Sequence, residues 1–173
     1  RGEFLSRVAT HDWDIIIVPF SSFKLLPVSA ETQSDFYQRE IDTLFDYLSE
    51  LKADKSPTRA LKEIEKSIKR FQVKLDTLAD MRKDDGKTIT WEELGVDMLI
   101  VDEFHAYKNL YFPTRMTRIA GLTNSDSQRA FDMFMKFSWT QRSGGKVIGL
   151  TGTPVTNTLA ELFTMQRYFQ LET

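Results

Sequence analysis

Apolar positions change their period along this chain, and each change marks a different kind of element. Arg1 to Thr10 carries no clear period, and then His11-Asp12-Trp13-Asp14 leads into Ile15-Ile16-Ile17-Val18. That continuous β-branched run predicts a buried strand, ended by Pro19. From Glu31 to about Thr90 the chain is charged, helical in pattern and free of glycine until Gly86. Phe36, Tyr37, Ile41, Leu44, Phe45, Leu48 and Leu51 recur at helical spacing, Ser56-Pro57-Thr58 interrupts them, and Leu61, Ile64, Ile68, Phe71, Leu75 and Leu78 resume as a heptad seam. Two helices of about 20 residues, each roughly 30 Å long, are expected to form an antiparallel hairpin. Lys62, Lys66, Lys69, Arg70 and Lys74 are interleaved with Glu63, Glu65 and Asp76, which reads as a mixed solvated face.

After the turn signal Asp84-Asp85-Gly86-Lys87 the period changes again. Trp91-Glu92-Glu93-Leu94 reads as a short helical turn, Val96 to Val101 as a buried strand, and Ala106 to Leu122 as an irregular loop rich in Pro, Thr, Arg and Gly. Ser125 to Arg142 is amphipathic, with Phe131, Phe134, Met135 and Ser138-Trp139 towards the core, a cap at Ser125 or Asp126, and Gly144-Gly145 as its end. Lys146 to Leu150 reads as a second strand and Asn157 to Phe169 as a closing helix. Strand, helix, strand, helix in that order predicts an α/β fold with a parallel sheet flanked by helices. The expected organisation is one sheet domain over residues 1–30 and 88–173, with the helical hairpin of 31–87 inserted into it.

Composition narrows the classes. With 173 residues and 41% apolar content the chain can bury one sizeable core, and a net charge of -2 gives no global basic field, so any nucleic-acid contact must be local. The absence of cysteine excludes disulfides and cysteine-ligated zinc, and two histidines make a histidine-built metal site a poor fit. No apolar run approaches the roughly 20 residues of a membrane span, and no basic-then-apolar leader opens the chain; a cytoplasmic protein with no membrane partner is expected.

Two polar turns carry the chemistry. Asp102-Glu103-Phe104-His105 follows directly on the strand that ends at Val101, and Thr151-Gly152-Thr153-Pro154 follows the strand that ends at Leu150. In open α/β sheets ligands bind outside the carboxyl ends of the strands. Asp102 is therefore placed to hold a divalent metal on a nucleotide, and Glu103 to orient or deprotonate a water, a Walker B pattern of the DExH kind. Both turns are expected on the same edge of one sheet.

"VDEFHAYKN" and "LTGTPVTNTLAEL" resemble motifs II and III of the superfamily two helicases and translocases, most closely the Swi/Snf type. Lys108-Asn109 and the segment Asn157 to Leu162 point to that type, and "NLYFPTRM", "SQRAFDMFMK" and "MQRYF" resemble the helicase portion of large phage and conjugative-element helicase/DNA-methylase proteins. The resemblance implies a partial RecA-like domain that uses ATP and Mg²⁺. Asp102, with Glu103 beside it, would hold the metal through the nucleotide's phosphates, and Glu103 would orient the attacking water. His105 would link the γ-phosphate site to motif III, with Thr151, Gly152 and Thr153 on the other side of that link. Phe104 departs from the small alanine of many relatives.

DNA would be the partner of the whole motor. Ser21 and Ser22 lie in a segment resembling motif Ib or Ic, where hydroxyls meet phosphates; a plain strand-to-helix turn with either serine as N-cap is the alternative. Lys108, Asn109, Arg115 and Arg118 are further candidates, although arginines that pack the loop onto the sheet explain the last two equally well. Motif I is missing: the only Gly-Gly-Lys, at 144 to 146, precedes a strand instead of opening a helix, the wrong polarity for a phosphate loop. The abrupt start and the lack of a second RecA-like domain lead to the expectation of a motor fragment that is inactive as an ATPase alone and depends on the remainder of the motor. Val147 to Leu150, deprived of a motif I neighbour, is expected to promote self-association. Two other classes remain open, a helical interaction module on a vestigial nucleotide scaffold and a metal-dependent nuclease built on Asp102 and Glu103.

Overall fold

The computed structural model describes residues 2–11, 13–53, 58–81, 89–110, 127–156 and 158–170. Its elements run α1 (Gly2–Thr10), α2 (Phe20–Phe23), α3 (Ala30–Ala53), α4 (Thr58–Met81), β1 (Met98–Val101), α5 (Gln128–Arg142), β2 (Lys146–Gly149) and α6 (Leu159–Gln166), with 3₁₀ turns over Glu92–Leu94 and Phe104–Tyr107. The protein is a helix-rich α/β fold around a small two-stranded parallel sheet. The chain divides into two compact units, one holding the sheet and the other α3 and α4.

In the sheet unit, β1 and β2 pair in parallel with Met98 opposite Lys146 and Val101 opposite Gly149. Parallel neighbours need a crossover, and α5 supplies it, lying between the strands in sequence and packing on both. The ladder extends past each end: the Lys146 N–H donates to the Asp97 carbonyl and the Leu150 N–H to the Val101 carbonyl, both at 2.8 Å. The turn from α5 into β2 requires glycine. Gly144 takes φ +86, and a Cβ on Gly145 would lie 2.7 Å from the Asp97 carbonyl oxygen. Ser127 is the N-cap of α5, its Oγ accepting from the Ala130 N–H at 3.2 Å; Ser125 and Asp126, expected in that role, lie outside the described residues. Buried side chains cover most of the circumference of α5, including Phe131, Met133, Phe134, Met135 and Phe137, so this helix is the centre of the core instead of a half-solvated cover.

Two expectations are corrected here, and one segment without a prediction gains an element. Ile15 to Val18 has no regular structure, and Ile15 and Ile17 are 80% and 91% exposed. β-propensity supplies suitable residues but not a neighbour, and among the described residues β1 and β2 pair only with each other. β1 is shorter than the apolar run that predicts it and is covered on one face, with Leu99 and Val101 buried and Met98 and Ile100 exposed. Arg1 to Thr10, which has no legible period, contains α1.

In the other unit α3 and α4 pack together along buried Phe36, Tyr37, Ile41, Leu44, Leu48 and Leu51 from α3 and Ile64, Ile68, Phe71 and Leu78 from α4. Tyr37 stacks on Phe71 at 5.7 Å, and the Lys74 ammonium lies over both rings. Phe45, expected on the apolar face, is about half exposed. Ser56 and Pro57 lie outside the described residues. Among those described, no helix is long and apolar enough to cross a membrane.

Candidate functional site

The strand register brings the two polar turns together. Because Val101 sits opposite Gly149, the residues that follow each strand leave the sheet side by side, and the Phe104 N–H donates to the Leu150 carbonyl at 2.8 Å across that exit. Asp102 and Glu103 are both exposed. The chain turns sharply between them: Glu103 adopts φ 49, ψ 43, the left-handed region, and its N–H donates to Asp102 Oδ1 at 2.8 Å. This conformation costs a non-glycine residue free energy, and such cost collects at functional turns.

His105 joins the turns. Its Nδ1 lies 3.1 Å from Glu103 Oε2 and 3.2 Å from Thr151 Oγ1. A carboxylate only accepts, so the contact with Glu103 is favourable in the tautomer that carries its proton on Nδ1. Thr151 Oγ1 also accepts from the Thr153 N–H at 3.1 Å, which fixes the turn around exposed Gly152. Glu103, His105, Thr151 and Thr153 thus form one chain of polar contacts from the end of β1 to the turn after β2.

Phe104 is not idle between these polar residues. Its ring is buried, stacks on Phe137 at 5.2 Å and meets Tyr168 edge-on at 5.0 Å. The ring anchors the 3₁₀ turn so that its neighbours Glu103 and His105 face outward.

Metal binding has a limited donor set. Asp102 and Glu103 present two adjacent carboxylates, one oxygen of Asp102 being taken by the Glu103 N–H, and among the described residues no group of three or more His, Cys, Asp or Glu side chains converges. That set suits Mg²⁺ held largely through water and a substrate's phosphates, and does not suit an all-protein cage.

The other candidates divide. Ser21 and Ser22 lie within α2, whose N-cap is Pro19, not either serine; Pro19's carbonyl accepts from the N–H groups of Ser22 and Phe23, both at 2.9 Å. α2 is pinned by fully buried Lys136, whose ammonium lies 3.3 Å from the Phe23 carbonyl oxygen, 4.3 Å from the centre of the Phe23 ring and 2.7 Å from Asp132 Oδ2. Burial pushes the Lys136 pKa down and that of Asp132 up, and their mutual attraction opposes both shifts. Asn109 is exposed, whereas the Lys108 ammonium is turned onto Glu161 Oε1 at 2.9 Å. Arg115 and Arg118 lie outside the described residues.

Sequence reasoning did not single out Glu161 and Thr164, which stand on one side of α6, or Tyr168 in the turn that follows it. Glu161 and Thr164 are buried, and the Tyr168 hydroxyl donates to the carbonyls of Tyr107 at 2.9 Å and Ala130 at 3.1 Å. The available signal was Glu161 three residues after Thr158, a capping-box spacing that ordinarily reads as helix capping and nothing more. No curated protein and no solved structure gives a significant match to the chain. A family model described as "Probable helicase domain" matches residues 1–173, and the chain therefore belongs to the probable helicase domain family.

Proposed function

We propose that this chain forms part of the first, RecA-like motor domain of an ATP-dependent DNA helicase or translocase of the Swi/Snf type. The observation that carries the reading is His105 Nδ1, which contacts both the Glu103 carboxylate and the Thr151 hydroxyl at the ends of two adjacent parallel strands. In this reading Glu103 orients the attacking water and accepts its proton, while Asp102 and Glu103 would hold Mg²⁺ on the nucleotide. The ion, when bound, offsets the charge of the phosphates. His105 carries a change at the nucleotide to the Thr151–Thr153 turn, which lies on the route to DNA. DNA contacts fall to Ser21, Ser22, Asn109, Arg115 and Arg118, and Lys108 acts within the fold. In this reading a longer protein supplies the glycine-rich phosphate loop, which does not occur in this sequence, together with the second motor domain.

The test is Glu103→Gln in that longer protein. The amide positions water but takes no proton, so nucleotide binding should persist while DNA-stimulated hydrolysis falls by roughly a hundredfold or more. Near-normal turnover in this variant would sink the reading.

A further inference from the structure

The two turns are joined a second time, deeper in the protein. Lys108 stands three residues beyond His105, and Thr156 three residues beyond Thr153. Between them lies Glu161, 2% exposed, in the first turn of α6. Glu161 Oε1 receives the Lys108 ammonium at 2.9 Å, and Oε2 accepts from the Thr156 N–H at 2.8 Å and its hydroxyl at 2.9 Å. Lys108 Nζ also donates to Thr156 Oγ1, which closes a three-membered ring of partners. The Thr164 hydroxyl, one turn along α6, lies 2.8 Å from the carbonyl oxygens of both Lys108 and Glu161.

We infer that Glu161 is a positioning residue: its carboxylate clamps the Lys108 end of one turn to the Thr156 end of the other, and so sets the distance at which His105 meets Thr151. This deepens the helicase reading and rests on it for its consequence in turnover, but not for its geometry. Glu103 and His105 have side chains 61% and 36% exposed, and a contact of that exposure contributes little by itself. The Lys108–Glu161 pair has side chains only 20% and 3% exposed and uses both carboxylate oxygens. Removing one partner strands a buried charge, so the turns would separate before the pair tolerated that. The exposed link is thus held in place by the buried one.

The test uses the full 173-residue chain, whose two histidines make the imidazole nitrogens assignable by long-range proton–nitrogen spectra. His105 should show a protonated Nδ1. In Glu161→Gln and Lys108→Met that pattern should be lost to the average of a free imidazole, while His11, which lies next to Thr10 on α1, stays unchanged. Lys108→Arg, which keeps the charge, should retain it. An unaltered His105 pattern in folded Glu161→Gln or folded Lys108→Met overturns the inference. In the longer protein Glu161→Gln should lower kcat by up to about a hundredfold with KM for the nucleotide nearly unchanged, as misplacement of a reacting group does. A lost His105 pattern in a protein whose parent hydrolyses no ATP would leave the clamp standing and remove the helicase reading instead.

Discussion

Phe104 lies so close over Gly149 that a Cβ at position 149 would fall 2.7 Å from the ring's Cγ. The strand after which one turn begins is therefore shaped to receive the first ring of the other turn, and the absence of a side chain at 149 is a packing requirement. Gly149→Ala should cost about 1–3 kcal/mol through overpacking, and Phe104→Ala about 3–5 kcal/mol through the cavity it leaves. The double variant should lose less than the sum of the two, because the added methyl enters the space the ring vacates. Denaturant melts of all four proteins give the coupling, and strict additivity would show that the two positions do not share that space.

The backbone at Glu103 makes a prediction of opposite sign for two substitutions. At φ 49 a side chain is strained, so Glu103→Gly should leave stability unchanged or raise it by up to about 1 kcal/mol, while Glu103→Val should lower it by about 1 kcal/mol or more. Thermal melts of the two variants decide the matter, and equal losses in both would mean that the side chain's contacts outweigh the strain.

Burial pushes the Tyr107 hydroxyl up to about 12 from its ordinary 10.0, with Arg129 opposing the shift. Between those values the unfolded chain has released this proton and the folded chain still holds it, so the unfolded state binds fewer protons and stability falls as pH rises. Tyr168, also raised by burial, adds to the slope. Tyr107→Phe should flatten the alkaline loss above pH 10, as read from denaturant midpoints against pH; a slope that does not change would remove Tyr107 from the account.

Ile68 lies buried between α3 and α4. Ile68→Asp places a charge there and should cost several kcal/mol of local stability while the sheet unit survives. Residue-resolved hydrogen exchange would show protection lost over 30–81 and kept in β1 and β2. Loss of protection everywhere would mean that the helical pair and the sheet unfold as one.

The sheet face bearing Met98, Ile100, Ile148 and Leu150 is about half exposed and apolar. Among the described residues β2 pairs only with β1, and self-association of the isolated chain through β2 is the expected outcome, as a strand edge without a partner is a template for another chain. Light scattering over a wide concentration range tests this, and a monomer throughout, with the Val147 and Ile148 amides protected from exchange, would show the edge to be covered internally.

The sequence by itself determined the elements whose burial is periodic. The seam of Ile64, Ile68 and Phe71, the apolar runs of β1 and β2, and the placement of Asp102, Glu103 and His105 just after a strand all follow from local spacing, because side-chain direction within one element is fixed by its own backbone. Tertiary structure decided whatever depends on a neighbour far along the chain. Ile15 to Val18 has the composition of a strand, but pairing needs a second edge, and composition does not provide one. The pairing of Lys108 with Glu161, far along the sequence, is not legible locally; Glu161 looks like a helix cap until Lys108 and Thr156 converge on it. Phe104 looks like a departure at a small-residue position until Gly149 makes room for its ring. Hydrogen bonds, charges and close packing act over a few ångströms of space, and the residues they join here are separated by dozens of positions, a distance that only the parallel pairing of β1 with β2 and the docking of α6 close.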